Sequence, residues 1–167
     1  MKGRLNNEIV IIGLIVLVSL SVQGCDRRQA AIAKVKKLGG TVEIDKEQPE
    51  SVALTISLMD CDVKDSELGF LKDLSGLEAL DLRNTKINGE GLIHLRGVTS
   101  LKKLLLHYCP ITDAGARQIK ELSSLTELDV GHSLISDTGL GYIGEIKLCK
   151  RIGYSIKRIK TVSLSFE

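Results

Sequence analysis

The chain has 167 residues, with 23 Lys or Arg against 21 Asp or Glu for a net charge of +2, and it is 43% hydrophobic but only 3% aromatic. That length suits one domain with a core, and the near-neutral balance excludes a globally basic polyanion binder and an acidic solvating chain. With no Trp and few Phe or Tyr, the core has to be built from Leu, Ile and Val.

Residues 1–24 read as a signal peptide. Lys2 and Arg4 give a basic start, Ile9 to Val22 is almost wholly aliphatic, and polar residues begin at Cys25. Such a run suits the apolar region of a secretory signal and is shorter than the ~20 residues that span a bilayer. The junction SVQGC resembles the lipobox of bacterial lipoproteins, with Val22, Gly24 and Cys25 fitting the pattern. The resemblance implies lipidation at Cys25, export, and a place in the cell envelope as a membrane-associated lipoprotein. Several acyl chains on one residue would give stable attachment. An N-terminal single-pass anchor is the alternative.

Residues 25–52 read as an N-terminal cap and connector. From Asp26 to Leu38 the spacing of Ala31, Val35 and Leu38 predicts a helix with one apolar face, stopped by Gly39 and Gly40. The stretch TVEID then alternates as an edge strand, with Val42 and Ile44 on one side, and a segment containing Pro49 leads on to Ala53.

Residues 53–148 hold four units of one repeat. Leu77, Leu101 and Leu125 open successive copies at a period of 24, and the phase extends back to Ala53. Within each unit the periodicity switches. Leu80 and Leu82 alternate with Ala79, Asp81 and Arg83 as in a strand with one buried face, whereas Leu92, Leu95 and Val98 recur every three residues as on a short helix. Between them lies a turn anchored by Val63, Ile87, Ile111 and Ile135. Asp65, Asp113 and Asp137 come two residues after that anchor, where a carboxylate can accept from the free N–H groups that open the helix; Asn88 and Gly89 stand there in the second unit.

A single strand, turn and helix cannot bury its apolar side, so the units must stack. The pattern LxxLxLxxTxI(T/S)DxGLxxL resembles the cysteine-containing type of leucine-rich repeat over Ala53 to Leu148. Behind a lipoprotein-like signal, the array is similar to exported proteins of planctomycete bacteria. The expected fold is therefore an α/β leucine-rich-repeat solenoid, right-handed, with a curved parallel sheet on the concave side and short helices on the convex side. Residues 149–167 keep the strand half of the phase at Ile152, Tyr154 and Ile159 and carry an excess of Lys and Arg, and read as a degenerate fifth repeat or a basic C-terminal cap.

Cys61 and Cys109 share a slot with Thr85 and Ser133. Two rungs separate them, ~9 to 10 Å by strand spacing and beyond the ~7 Å reach of a disulfide, so both should be thiols. Cys149 takes the place of a core leucine.

The outward sheet residues fall into columns: Thr55, Ala79, Lys103, Glu127; Ser57, Asp81, Leu105, Asp129; Met59, Arg83, His107, Gly131; and Asp60, Asn84, Tyr108, His132. An open sheet face supplies no deep pocket to tune a catalytic group, and no phosphate loop, GxSxG or HExxH motif occurs. The expectation is a non-enzymatic interaction module with no catalytic residue, metal or cofactor. It would bind a protein partner through Asp81, Arg83, Asn84, His107, Tyr108, Asp129 and His132, with no nucleic acid and no small-molecule substrate. The alternatives are a structural cell-envelope element and a metal-binding or hydrolytic site around His107 and His132.

Overall fold

A computed structural model describes residues 26–45, 53–146 and 151–153. Helix α1 covers 26–37 and packs Ala31 and Val35 into the core. Gly39 takes φ of 87°, which ends the helix. Strand β1 (Thr41–Asp45) comes next, then β2 (Ala53–Ser57), β3 (Leu77–Asp81), β4 (Lys103–Leu105), β5 (Glu127–Asp129) and β6 (Arg151–Gly153). They form one six-stranded sheet in sequence order. All neighbours from β2 onward are parallel, and β1 lies antiparallel on β2. β1 thus stands at one edge of the sheet with a direction opposite to the rest. Val42 is half-buried while Ile44 is 45% exposed, so only one of the two expected apolar positions reaches the core.

The sheet registers reproduce the 24-residue period. Leu80 pairs with Leu104, Leu104 with Leu128, and Leu128 with Ile152. Their side chains point inward with Leu82, Leu106 and Val130, and they meet the apolar faces of the connecting helices in one continuous core. At about 25 cal/mol per Å² of apolar area removed from water, this shared burial is the principal force holding rung to rung. β6 pairs parallel with β5 in the same register, 24 residues further on. The other expectations for residues 1–25, 46–52, 147–150 and 154–167, including those for Cys25 and Cys149, lie outside the described residues.

The four helical segments that follow β2, β3, β4 and β5 differ. The first two, Asp65–Asp73 and Glu90–Leu95, are 3₁₀ helices, while α2 (Asp113–Lys120) and α3 (Asp137–Gly144) are α-helices. Their N-caps differ as well. Thr112 accepts from the Gly115 N–H and Ser136 from the Thr138 N–H, whereas Lys64 and Gly89 offer no such side-chain oxygen to the earlier two.

Two of the recurrent aspartates, Asp65 and Asp113, do something other than cap their own helices. Asp65 accepts from the N–H groups of Asn88, Gly89 and Gly91 at 2.8, 3.1 and 2.7 Å, all in the next rung. Asp113 likewise accepts from the Ser136 N–H at 2.8 Å and the Ser136 hydroxyl. These carboxylates tie one rung to the next. The glycine at the start of each later helix makes the approach possible. A Cβ on Gly91 would overlap the Asp65 backbone, and one on Gly115 would overlap the Asn88 carbonyl.

Candidate interaction face

Turned away from the helices, the sheet presents the expected columns in register: Ala79 beside Lys103 beside Glu127, and Asp81 beside Leu105 beside Asp129. The ladder continues past the strand ends. Asp60, Asn84 and Tyr108 donate their N–H groups to Arg83, His107 and Gly131 carbonyls at 3.0, 2.9 and 2.9 Å. Asp60, Asn84 and Tyr108 take positive φ of 61°, 55° and 60°, and His132 in the same column takes 56°. Asp, Asn and His tolerate that left-handed region better than most residues, but a bulky Tyr does so rarely and at a cost of about 1–2 kcal/mol.

Three rings meet at this edge. Tyr108 stacks on His132 with centroids 4.4 Å apart and planes 16° from parallel, and His107 sets its edge against Tyr108 at 4.4 Å and His132 at 5.0 Å. Tyr108 is nonetheless 58% exposed. Gly131 makes room for the cluster, because a Cβ there would collide with His107 Nδ1. Asp129 accepts from the Gly131 N–H at 2.9 Å and lies 3.3 Å from His107 Nδ1.

Beside the rings, Arg83 donates through Nε and a terminal nitrogen to both oxygens of Asp81, at 2.9, 3.1 and 2.6 Å. Those bonds to Asp81 push the Arg83 guanidinium pKa up from its ordinary value. Lys103 pairs with Glu127 at 3.0 Å, and Asn84 donates to Asp60 Oδ1 at 2.7 Å. The structure thus brings together Asp81 with Arg83, and His107 with Tyr108, Asp129 and His132. Asn84 donates to Asp60 within the column that also holds Tyr108 and His132. Asp60, Lys103, Glu127 and Gly131 contribute to the face although nothing in the sequence singled them out as contacts. The Asp, Asn and His at one repeat position were the available signal for a left-handed column.

The arrangement offers an aromatic platform bordered by ion pairs already satisfied within the face. Among the described residues, no group of three His, Cys, Asp or Glu side chains is placed to hold a metal ion. An open groove of about 350 Å³ lies elsewhere, lined by Lys72–Gly76 and Gly97–Ser100 in the turns leading from helix to strand. Cys61 and Cys109 are free thiols. Burial raises the pKa of both, and Cys109 donates to the Leu82 carbonyl at 2.9 Å beside the Thr85 hydroxyl. The shared slot is therefore an inward hydrogen-bonding position.

The family pattern described as Leucine Rich repeat matches residues 77–95 and 121–144. With the period, the parallel sheet and the helices on its other side, that match defines the chain's fold as an α/β leucine-rich-repeat solenoid. Solved structures of similar build include an internalin from Listeria monocytogenes, 16% identical over 55% of this chain and 32% of that one, with a TM-score of 0.40. Another is the leucine-rich-repeat ectodomain of the receptor kinase SOBIR1 from Arabidopsis thaliana, 13% identical over 77% of this chain and 92% of that one, with a TM-score of 0.44. The chain spans about a third of the internalin's length. No curated protein matches it.

Proposed function

We propose that this protein is a non-enzymatic interaction module that binds a protein partner through the concave sheet face, with Tyr108 as the central contact and Asp81, Arg83, Asn84, His107, Asp129 and His132 around it. The observation that carries the reading is Tyr108 itself: a large, exposed ring held in a strained backbone conformation and backed by His132. Strain retained at an exposed position that contributes little to the core points to function. Exposed aromatics with a polar tip are frequent anchors at protein interfaces, and the internally paired charges nearby suit a rim. Export and lipid attachment at Cys25 belong to the same proposal, supported by the basic start, the aliphatic run and the SVQGC junction.

The test is capture of partners from the source cell by wild type and by Tyr108→Ala combined with Arg83→Ala, with folding checked by circular dichroism. Specific capture lost in the folded double variant supports the face; capture unchanged removes it. Mass spectrometry of the N-terminal peptide tests the anchoring separately: acylated Cys25 is expected, and an unmodified peptide retaining Met1 contradicts it.

A further inference from the structure

Asn88–Gly89 is the chain's one Asn-Gly pair, and it stands where the second rung's turn meets the first rung. In such a pair the Gly nitrogen, on losing its proton, can attack the Asn side-chain carbonyl carbon. A C–N bond forms, the side-chain nitrogen leaves as ammonia, and a succinimide closes. Water then opens the ring to aspartate or isoaspartate, so the net change is amide plus water to carboxylate plus ammonia. Glycine favours the reaction because no Cβ shields the nucleophile and its φ is unrestricted.

The fold assembles one half of this reaction and withholds the other. The Glu90 N–H donates to Asn88 Oδ1 at 3.0 Å, polarising the carbonyl on the oxygen that gains negative charge during attack. The nucleophile is occupied: the Gly89 N–H donates to Asp65 Oδ1 at 3.1 Å, and a carboxylate at that distance opposes loss of the proton. Asp65 also grips the N–H groups of Asn88 and Gly91 on either side. Gly89, at φ of 99°, is buried with its α-carbon against Gly115, which denies the turn room to swing.

We propose that Asn88–Gly89 is a latent self-modification site, and that Asp65 is the positioning residue that keeps it unreacted while the first two rungs are closed. Opening that contact frees the Gly89 nitrogen and lets the reaction run. An isoaspartate product would add a methylene to the backbone of the turn and set a new carboxylate against Asp65, so the rungs could not close again in register. The modification would therefore record opening irreversibly.

The experiment incubates the full chain in mildly alkaline buffer and tracks position 88 by peptide mapping, with isoaspartate quantified. Four samples are compared: wild type native, wild type in urea, Asp65→Asn native and Asp113→Asn native. Native wild type should react at least about tenfold more slowly than unfolded chain. Asp65→Asn should react about ten- to a hundredfold faster than native wild type, the effect of releasing a charge-assisted hydrogen bond. Asp113→Asn, which weakens the tie between the third and fourth rungs, should react as wild type does. Equal rates in Asp65→Asn and wild type, or equal acceleration in both variants, would overturn the assignment to Asp65. Should Asp65→Asn fail to fold, Asp65→Glu keeps a carboxylate one methylene out of place, and a rate no faster than wild type would be equally fatal.

Discussion

Tyr108 carries the conflict between stability and use at the scale of a single residue. Its left-handed backbone is unfavourable by about 1–2 kcal/mol, and its stack on His132 returns about 0.5–1.5 kcal/mol. Replacement by Asn, which tolerates the same φ, removes both effects. Tyr108→Asn should therefore change unfolding free energy by less than about 1 kcal/mol in a urea titration while abolishing partner capture. Leu106→Ala, two residues earlier and fully buried, should cost about 2–5 kcal/mol. A large loss of stability in Tyr108→Asn would mean that the ring is a structural element. The sequence placed Tyr108 in its column, because inward leucines fix which residues face out. Tyr itself carries no left-handed propensity, so the strain at this position was legible only through the Asp, Asn and His that share its column.

Helices and turns show what a periodic pattern does not reveal. Spacing of Leu68 with Leu71 and of Leu92 with Leu95 was legible as a buried helical face, but a spacing of three puts residues on one face of a 3₁₀ and of an α-helix alike, so it did not say which would form. The recurrent Asp was legible as an N–H acceptor; that its donors lie one rung further on was not, because only the stack brings them together. Ser136 holds the Asp113 carboxyl below the usual carboxylate range, chiefly through its hydroxyl and then through its N–H. A folded pKa below the unfolded value gives stability that is complete above the unfolded value of about 3.9 and is lost as pH falls through the folded one. The destabilisation of Asp113→Ala relative to wild type should thus be largest near neutrality and shrink below about pH 4, as read by urea midpoints across pH. Glycines within two neighbouring helices should also behave oppositely. Gly115→Ala forces a Cβ into the Asn88 backbone and should destabilise by about 1–3 kcal/mol or more. Gly141→Ala in α3 meets nothing within 4 Å and should stabilise by about 0.5–1 kcal/mol. Thermal melts of the two variants check both signs.

For the whole molecule, the stack makes each rung depend on its neighbours and leaves one long sheet face for other work. The inward face is satisfied by leucines and the outward charges pair with one another, while the Tyr108 ring, exposed and stacked on His132 of the next rung, presents a large apolar surface on the sheet side. The convex side bears an exposed apolar residue too, Ile93, 46% exposed on the second 3₁₀ helix, but without ring partners or backbone strain. Photo-crosslinking in the source cell, with a reactive amino acid placed at position 108 or, as the matched control, at position 93, separates the two faces. A discrete protein adduct is expected from position 108, disappearing when His132 and Arg83 are replaced by Ala, and none from position 93. Adducts from position 93 alone, or the same adducts from both positions, would contradict the concave face as the site of recognition.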